Sequence, residues 1–330
     1  MPSIRVLSDD DIASVLDLEE LLPVVADAFE SQRAGDVERP ERPHYPIGIG
    51  VDPTAPEEPT GTGLCMPAYV HGSPYAATKL VTVCTDNPER GLPTVTAQLS
   101  LVDAETGQPV GYLAGNRITN ARTGCIGGLA ARELAPAGPI DLAVIGAGTQ
   151  ARWQTRAIAA AVGTDRLESM RVYSPSDSRH DCATALESEL GVPANAVSSP
   201  RAAVSPATVV VTATTSTEPV VSGDALSAGT LVIAIGAYTP EMRELDDETV
   251  TRADQLFGDV PAEAAETGDL RAYDGEIRPF GDVLAGERGR DTDDELVVLE
   301  SVGTAVLDAA TATFVFDRAR EAGVGTTVPL

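Results

Sequence analysis

From Asp141 onward the sequence alternates strand-sized apolar runs with helical periods, and the first junction carries Gly146-x-Gly148-x-x-Ala151. Asp141–Ile145 reads as a buried strand, the glycines follow it, and a helix continues to about Val162. Strand Met170–Tyr173, a helix over Cys182–Leu190, and strands Thr208–Ala213, Leu231–Ile235 and Gln255–Phe257 come next. Parallel strands need a crossover, usually a helix, so this alternation constrains the region to a doubly wound parallel sheet of the α/β class. Glycines at that turn permit close backbone approach, and the helix N-terminus behind them faces a pyrophosphate. A Gly-rich turn that binds no dinucleotide has the same local pattern. The strand before, the helix after and a second strand about 25 residues on favour the dinucleotide.

The end of that second strand separates NAD from NADP, through an acid for the ribose 2′-hydroxyl or a base for a 2′-phosphate. It reads Val172-Tyr173-Ser174-Pro175-Ser176-Asp177-Ser178-Arg179. No acid stands at the tip, two serines, Ser174 among them, could receive a phosphate, and Arg179 is close. The pattern leans to NADP, with a ribose contact from Asp177 left open.

The chain before Gly115 follows other rules. Residues 11–35 read as helices, with Asp10–Asp11 as a cap and Val15, Leu18, Leu21, Leu22, Val25 and Phe29 at helical spacing. Short β-rich runs follow, Ala76–Val83, Thr94–Val102 and Pro109–Leu113, separated by turn chemistry at 87–91 and 103–107. The Pro- and Glu-rich piece Asp52–Gly63 reads as a surface loop, and Asn120–Leu134 as a close-packed Gly/Ala helix. A final helix, Val306–Ala322, is apolar on one face and is expected to pack back on the N-terminal part. A length of 330 residues suits two domains, each with its own core.

Charge narrows the function. With 50 acidic residues against 23 basic ones, the net charge is −27. Such a surface repels phosphate backbones and anionic lipid, which argues against nucleic-acid and membrane partners. It is also the kind of surface that high salt screens, so a halophilic setting is expected. Neither a secretory signal nor a bilayer-length apolar run is evident, which makes the cytoplasm the expected location. The four cysteines form no C-x-x-C pair and read as reduced, and the three histidines have no metal-ligand spacing.

Of the 23 basic residues only Lys79 is a lysine, and it lies in an apolar strand beside Ala76, Ala77, Leu80 and Val81. A lysine there is either a surface residue of an edge strand or a desolvated amine with a lowered pKa, suited to proton transfer or iminium chemistry. Arg42 and Arg122 are each ordinary surface residues when taken alone. An Arg pair is the usual clamp for a substrate carboxylate, because each fork binds two oxygens, and their joint occurrence with Lys79 favours that role.

Lys79, Asn87…Gly91-Leu92-Pro93-Thr94, Asp103…Thr106-Gly107, Thr119-x-x-Arg122-Thr123 and Gly146-x-Gly148-x-Gln150-Ala151 together resemble the ornithine cyclodeaminase/mu-crystallin family. Gly236-Ala237…Arg243-Glu244-Leu245 and Ser301-x-Gly303…Asp308 extend the match over nearly the whole chain. The resemblance implies a Rossmann domain, residues 119–305, inserted in a discontinuous α+β substrate-binding and dimerisation domain, residues 1–118 and 306–330. By it Lys79 is the general acid/base, Arg42 and Arg122 hold the substrate carboxylate, and Thr94 lines the substrate site. Thr123, Gly146, Gly148 and Gln150 meet the cofactor phosphates, and Thr214, Ser301 and Gly303 lie near the nicotinamide.

Two departures from the family pattern bear on the reaction. Cyclodeaminases and archaeal alanine dehydrogenases place an Asp where this chain has Tyr238, and cyclodeaminases place a Glu where it has Leu64. Without those carboxylates, holding a diamine and taking protons from it are disfavoured. A tyrosine hydroxyl with a pKa near ~10 is a poor base at neutral pH. The mu-crystallin side of the family also lacks that Asp and reduces cyclic ketimines. The expected activity is therefore NAD(P)-dependent redox chemistry at the Cα–N bond of a small amino or imino acid. Ornithine cyclodeamination, alanine dehydrogenation and a non-catalytic NADP-dependent binding protein stand as alternatives.

Overall fold

The computed structural model describes residues 3–330. The chain opens with β1 (Ser3–Leu7), α1 (Asp9–Val15), α2 (Leu18–Ala34), β2 (Val37–Glu38), β3 (His44–Ile47), β4 (Gly61–Val70), β5 (Tyr75–Val83), β6 (Val95–Asp103) and β7 (Pro109–Ala114). Then come α3 (Gly115–Leu134), β8 (Ile140–Ile145), α4 (Thr149–Val162), β9 (Leu167–Tyr173), α5 (Ser178–Leu190), β10 (Ala194–Ala196), α6 (Pro200–Val204), β11 (Val209–Thr212) and β12 (Leu231–Ala234). It closes with α7 (Asp247–Arg252), β13 (Gln255–Gly258), α8 (Pro261–Ala264), β14 (Arg278–Pro279), α9 (Phe280–Leu284), β15 (Val297–Glu300), α10 (Ala305–Glu321) and β16 (Thr326–Pro329). These elements form two compact units. One holds the residues up to Asp17, Ala34–Arg122 and Ala305–Leu330; the other holds Leu18–Arg33 and Thr123–Thr304.

The first unit is a mixed sheet in the order β16-β1-β7-β6-β5-β4-β2, with β3 also on β4. Its strands β4, β5, β6 and β7 alternate as half-buried strands must. In β5, Tyr75, Ala77, Lys79 and Val81 point to a buried face that α10 covers, while Leu80 faces out. The final helix therefore packs where the sequence suggested, with Phe316 edge-on to Tyr75 at 5.2 Å between ring centroids. Helix α1 starts two residues earlier than Asp10–Asp11 implied, because Ser8 caps it and shares a capping box with Asp11. Strand β4 claims Gly61–Gly63 from the expected loop, since their backbone pairs with β5 and β3.

In the second unit every strand pair is parallel, in the order β10-β9-β8-β11-β12-β15-β13-β14. Strands β11, β12, β13 and β15 are buried throughout, as a sheet with helices on both faces requires. The strand order reverses between β8 and β11, the point at which such sheets bind their ligands. Residues 18–33 belong to this unit, not to the N-terminal one where the expected boundary put them. Phe29 of α2 meets Phe280 edge-on at 5.4 Å, and Gln32 bonds the Asp259 carbonyl and the Thr304 hydroxyl. Among the described residues no helix is long and apolar enough to cross a membrane.

Candidate functional site

In the first unit the site is built around Lys79. It sits mid-strand in β5, directly opposite Met66 of β4 and Leu99 of β6, with both neighbours buried on the same face. Only 2% of its side chain is exposed. Its ammonium meets Asp308 Oδ2 at 2.5 Å, and the other oxygen, Oδ1, accepts from Arg122 Nε at 2.9 Å. Asp308 reaches both cations because it lies in the first turn of α10, the helix covering this face. Arg122 ends the part of α3 that belongs to this unit, and Arg42 comes from the segment between β2 and β3, close enough for its charge to act on Lys79.

The electrostatics follow from burial. Desolvation pushes the Lys79 ammonium down to about 8; Asp308 opposes that shift, while Arg122 and Arg42 add to it. Burial also pulls the Asp308 carboxyl upward, but Arg122 and Lys79 outweigh it and hold the group below its usual range. Two buried cations sharing one carboxylate leave a net positive charge, with Arg42 alongside. In a protein of net charge −27 this is a local site for an anion.

Thr94 stands apart from this cluster. It precedes β6 five residues short of Leu99, about 17 Å along the strand from the level of Lys79. Leu64 is buried on β4 across from Val81, so the wall beside Lys79 is apolar where a carboxylate was missing from the sequence pattern.

In the second unit the expected dinucleotide residues gather at the carboxyl ends of the strands. Gly146 ends β8 with φ 113°, and a Cβ there would lie 2.5 Å from the Ala213 carbonyl oxygen. Gly148 is the N-cap of α4 with no side-chain cap, and a Cβ built on it meets nothing within 4 Å. An uncapped N-terminus of a 14-residue helix, with open space before it, is the cradle that a pyrophosphate fills. Gln150 and Ala151 form its first turn, and Thr123 on α3 is anchored to α4 through Gln154 Nε2, which donates to its carbonyl at 2.8 Å.

Behind β9, Ser174, Ser176 and Ser178 place three hydroxyls within 3.4 Å of one another. Arg179 holds this turn by donating to the carbonyls of Ser174 and Ser176, and it pairs with the exposed Asp177 at 3.4 Å. Thr214 follows β11, Tyr238 follows β12 half-exposed, and Ser301 and Gly303 follow β15. Burial raises the Tyr238 hydroxyl above its ordinary pKa, which leaves still less phenolate to act as a base at neutral pH.

Asp308 received no role from sequence reasoning. The available signal was an acid at the start of a helix whose neighbours Val306, Leu307, Ala309 and Ala312 are all apolar and, in the structure, buried. A buried carboxylate needs a cationic partner, and Lys79 was the cation lacking one. Among the described residues no group of His, Cys, Asp or Glu is arranged to hold a metal ion, and the four cysteines are free thiols.

The Gly146 geometry makes a prediction. Gly146→Ala places a Cβ against backbone at a positive φ, which costs about 1–3 kcal/mol. A melting curve should fall by several degrees, and titration of nicotinamide fluorescence should show at least tenfold weaker dinucleotide binding.

Comparison with known proteins sets this geometry in context. A model of the ornithine cyclodeaminase/mu-crystallin family matches residues 4–323. A Δ1-pyrroline-2-carboxylate reductase of Bacillus cereus is 31% identical, over 97% of this chain and 98% of its own. The structure of Thermococcus litoralis Δ1-pyrroline-2-carboxylate reductase with NADH and L-proline superposes with a TM-score of 0.91 at 30% identity, covering 98% of this chain and all of that one. An archaeal alanine dehydrogenase dimer with bound NAD gives 0.86 at 29% identity, with both chains fully covered.

Proposed function

The chain belongs to the ornithine cyclodeaminase/mu-crystallin family, and from that premise we propose that it reduces a cyclic imino acid of the Δ1-pyrroline-2-carboxylate kind. At the level of reaction class it is an NAD(P)-dependent oxidoreductase acting on C=N and CH–NH groups of imino and amino acids. The observation that carries the finer reading is the buried Lys79–Asp308–Arg122 cluster in an apolar wall. It offers one proton donor beside a site for a carboxylate, with no second carboxylate to grip a diamine.

In this reading Arg122 and Arg42 bind the carboxylate of the imino acid and so orient its C=N bond. Arg122 is pre-set for this by Asp308, which fixes its Nε and leaves the rest of the guanidinium to the ligand. When bound, the reduced nicotinamide supplies a hydride to the imine carbon. Lys79 supplies the proton: as the C=N bond becomes C–N, nitrogen gains the electron pair and takes H⁺ from the ammonium. Met66, Leu99 and Leu64 keep water away and strengthen these charges. Substrate loses one double bond and gains H⁻ and H⁺, which balances the reaction.

Gly146, Gly148 and the α4 N-terminus of the second unit, with Gln150, Ala151 and Thr123, would hold the dinucleotide. The Ser174–Ser178 hydroxyls and Arg179, with no acid at the tip of β9, support NADP(H) over NAD(H). The dimeric alanine dehydrogenase relative supports a homodimer, and the net charge of −27 supports a salt-adapted fold.

The direct test follows nicotinamide absorbance with Δ1-pyrroline-2-carboxylate and either NADPH or NADH, in dilute buffer and in high salt. Rapid oxidation, several-fold faster with NADPH and sustained only in high salt, is expected. No oxidation, together with proline and ammonia formed from ornithine and NAD, would overturn the reading in favour of cyclodeamination. A preference for NADH would overturn the cofactor assignment alone.

A further inference from the structure

Glu244 and Asp259 are buried carboxylates of the second unit that the proposed reaction does not use. Burying such a group costs several kcal/mol unless donors surround it. Both are surrounded, and their donors come from loops at the carboxyl ends of the sheet. Glu244 Oε1 accepts from the Thr214 N–H at 2.7 Å; Oε2 accepts from the Gly236 N–H at 2.7 Å and the Thr212 hydroxyl at 2.8 Å. Asp259 Oδ1 accepts from the N–H groups of Val260 and Val302; Oδ2 accepts from the Ser301 hydroxyl and the Gly303 N–H, each at 2.7 Å.

Each carboxylate joins its own loop to another: Glu244 ties Gly236 of the β12–α7 connection to Thr212 and Thr214 at the end of β11, and Asp259 ties the turn after β13 to the loop after β15. Glu244 lies between β12 and α7, and Asp259 follows β13. Glu244 is itself fixed, because Asp269 Oδ1 accepts from the N–H groups of Glu244 and Leu245. Gly236 is shaped for this contact: a Cβ there would lie 2.6 Å from the Glu244 carboxyl. Burial pushes the Glu244 carboxyl up and its donors pull it back. Seven donor contacts thus converge on two side chains, and charge-assisted bonds of this kind hold geometry more sharply than neutral ones.

We infer that Glu244 and Asp259 are positioning residues for the dinucleotide, holding the loops after β11, β12 and β15 as a pre-formed wall at the nicotinamide end. The inference rests on the dinucleotide reading above. It also changes the part played by Ser301. Its hydroxyl is spent on Asp259, as are the Thr214 and Gly303 N–H groups on their carboxylates, so these residues shape the wall instead of donating to the cofactor. Loops left to order themselves on binding would charge that entropy to the affinity.

The test uses Asp259→Asn and Glu244→Gln in the full-length enzyme. Each amide keeps the volume but turns an NH₂ group toward N–H donors. Dinucleotide affinity, read by nicotinamide fluorescence, should fall tenfold or more, and the KM for dinucleotide should rise while the KM for the imine at saturating dinucleotide stays within threefold. A purely structural role would lower the melting temperature of the ligand-free protein and leave the affinity of the folded fraction unchanged, which overturns the inference. Should either variant fail to fold, Thr212→Val removes one Glu244 donor with its shape retained; threefold weaker binding supports the inference and unchanged binding overturns it. Wild-type enzyme that binds neither NADH nor NADPH would overturn the dinucleotide reading itself. Wild-type binding with unaltered variants overturns this inference alone.

Discussion

Replacing Lys79 with methionine should lower kcat/KM for imine reduction by about 10²- to 10⁴-fold, the range that a positioned general acid contributes, while the protein stays folded. The two halves of this expectation have separate causes. In the proposed reaction Lys79 is the proton donor, and the residues opposite it, Met66 and Leu99, carry no replacement. Methionine matches its length and apolar stem but holds no proton. Stability is spared because Asp308 keeps its bond to Arg122 at 2.9 Å, so no buried charge is left alone. Exchanging a buried ion for an apolar side chain of similar volume is often neutral or better. The measurement pairs steady-state rates with a melting curve. A variant that melts normally yet retains more than a tenth of the wild-type rate would remove Lys79 from the chemistry. Dinucleotide binding should be unchanged, since the cradle at Gly146 and Gly148 is built from other residues.

Much of the second unit was legible because its period is coarse: each buried strand is followed by a turn and a helix, and crossovers admit few topologies. Strand β15, Val297–Glu300, escaped notice although it is as long as β11, β12 and β13, because α8 and α9 before it, of four and five residues, are too short to show the helical period that marks an alternation. Strand β4 was not read from the sequence, and its first residues, Gly61–Gly63, fell in the expected loop; the pairing that makes it a strand comes from β5 and β3. The apolar stripe of α2 announced a buried face and could not say against what, so residues 18–33 were placed with the wrong neighbours.

The candidate site divides in the same way. Lys79 stood out through scarcity, and the glycines through spacing. Asp308 is separated from Lys79 by 229 residues, and only the packing of α10 on the sheet joins them. Glu244 and Asp259 act on loops far along the chain through backbone N–H groups, which have no sequence signature at all. Pairing by tertiary contact is the common reason these residues carried no role in the sequence, although Glu244 and Asp308 stand within the matched motifs.

A second large effect concerns pH, and its sign differs between the two directions of the reaction. The Lys79 ammonium, lowered by burial to about 8, must carry its proton to serve imine reduction. The kcat/KM for reduction should therefore be flat below about pH 8 and fall close to tenfold per unit above it. Oxidation of the amino acid needs the neutral amine, so its rate should climb with pH and level off above about 8. Asp308→Asn removes the carboxylate that favours the ammonium, while Arg122 and Arg42 continue to oppose it. The descending limb for reduction should then move to lower pH, by about 1–3 units for the loss of a charge in contact. At pH 7 the variant should reduce imine more slowly, by about twofold for a one-unit shift and about tenfold for two units, and regain rate as the buffer is made more acidic. Oxidation in the same variant should reach its plateau at lower pH. A limb that stays in place while the rate drops uniformly would mean that Asp308 only holds the fold. A limb that moves upward would show that the proton being followed belongs to another group.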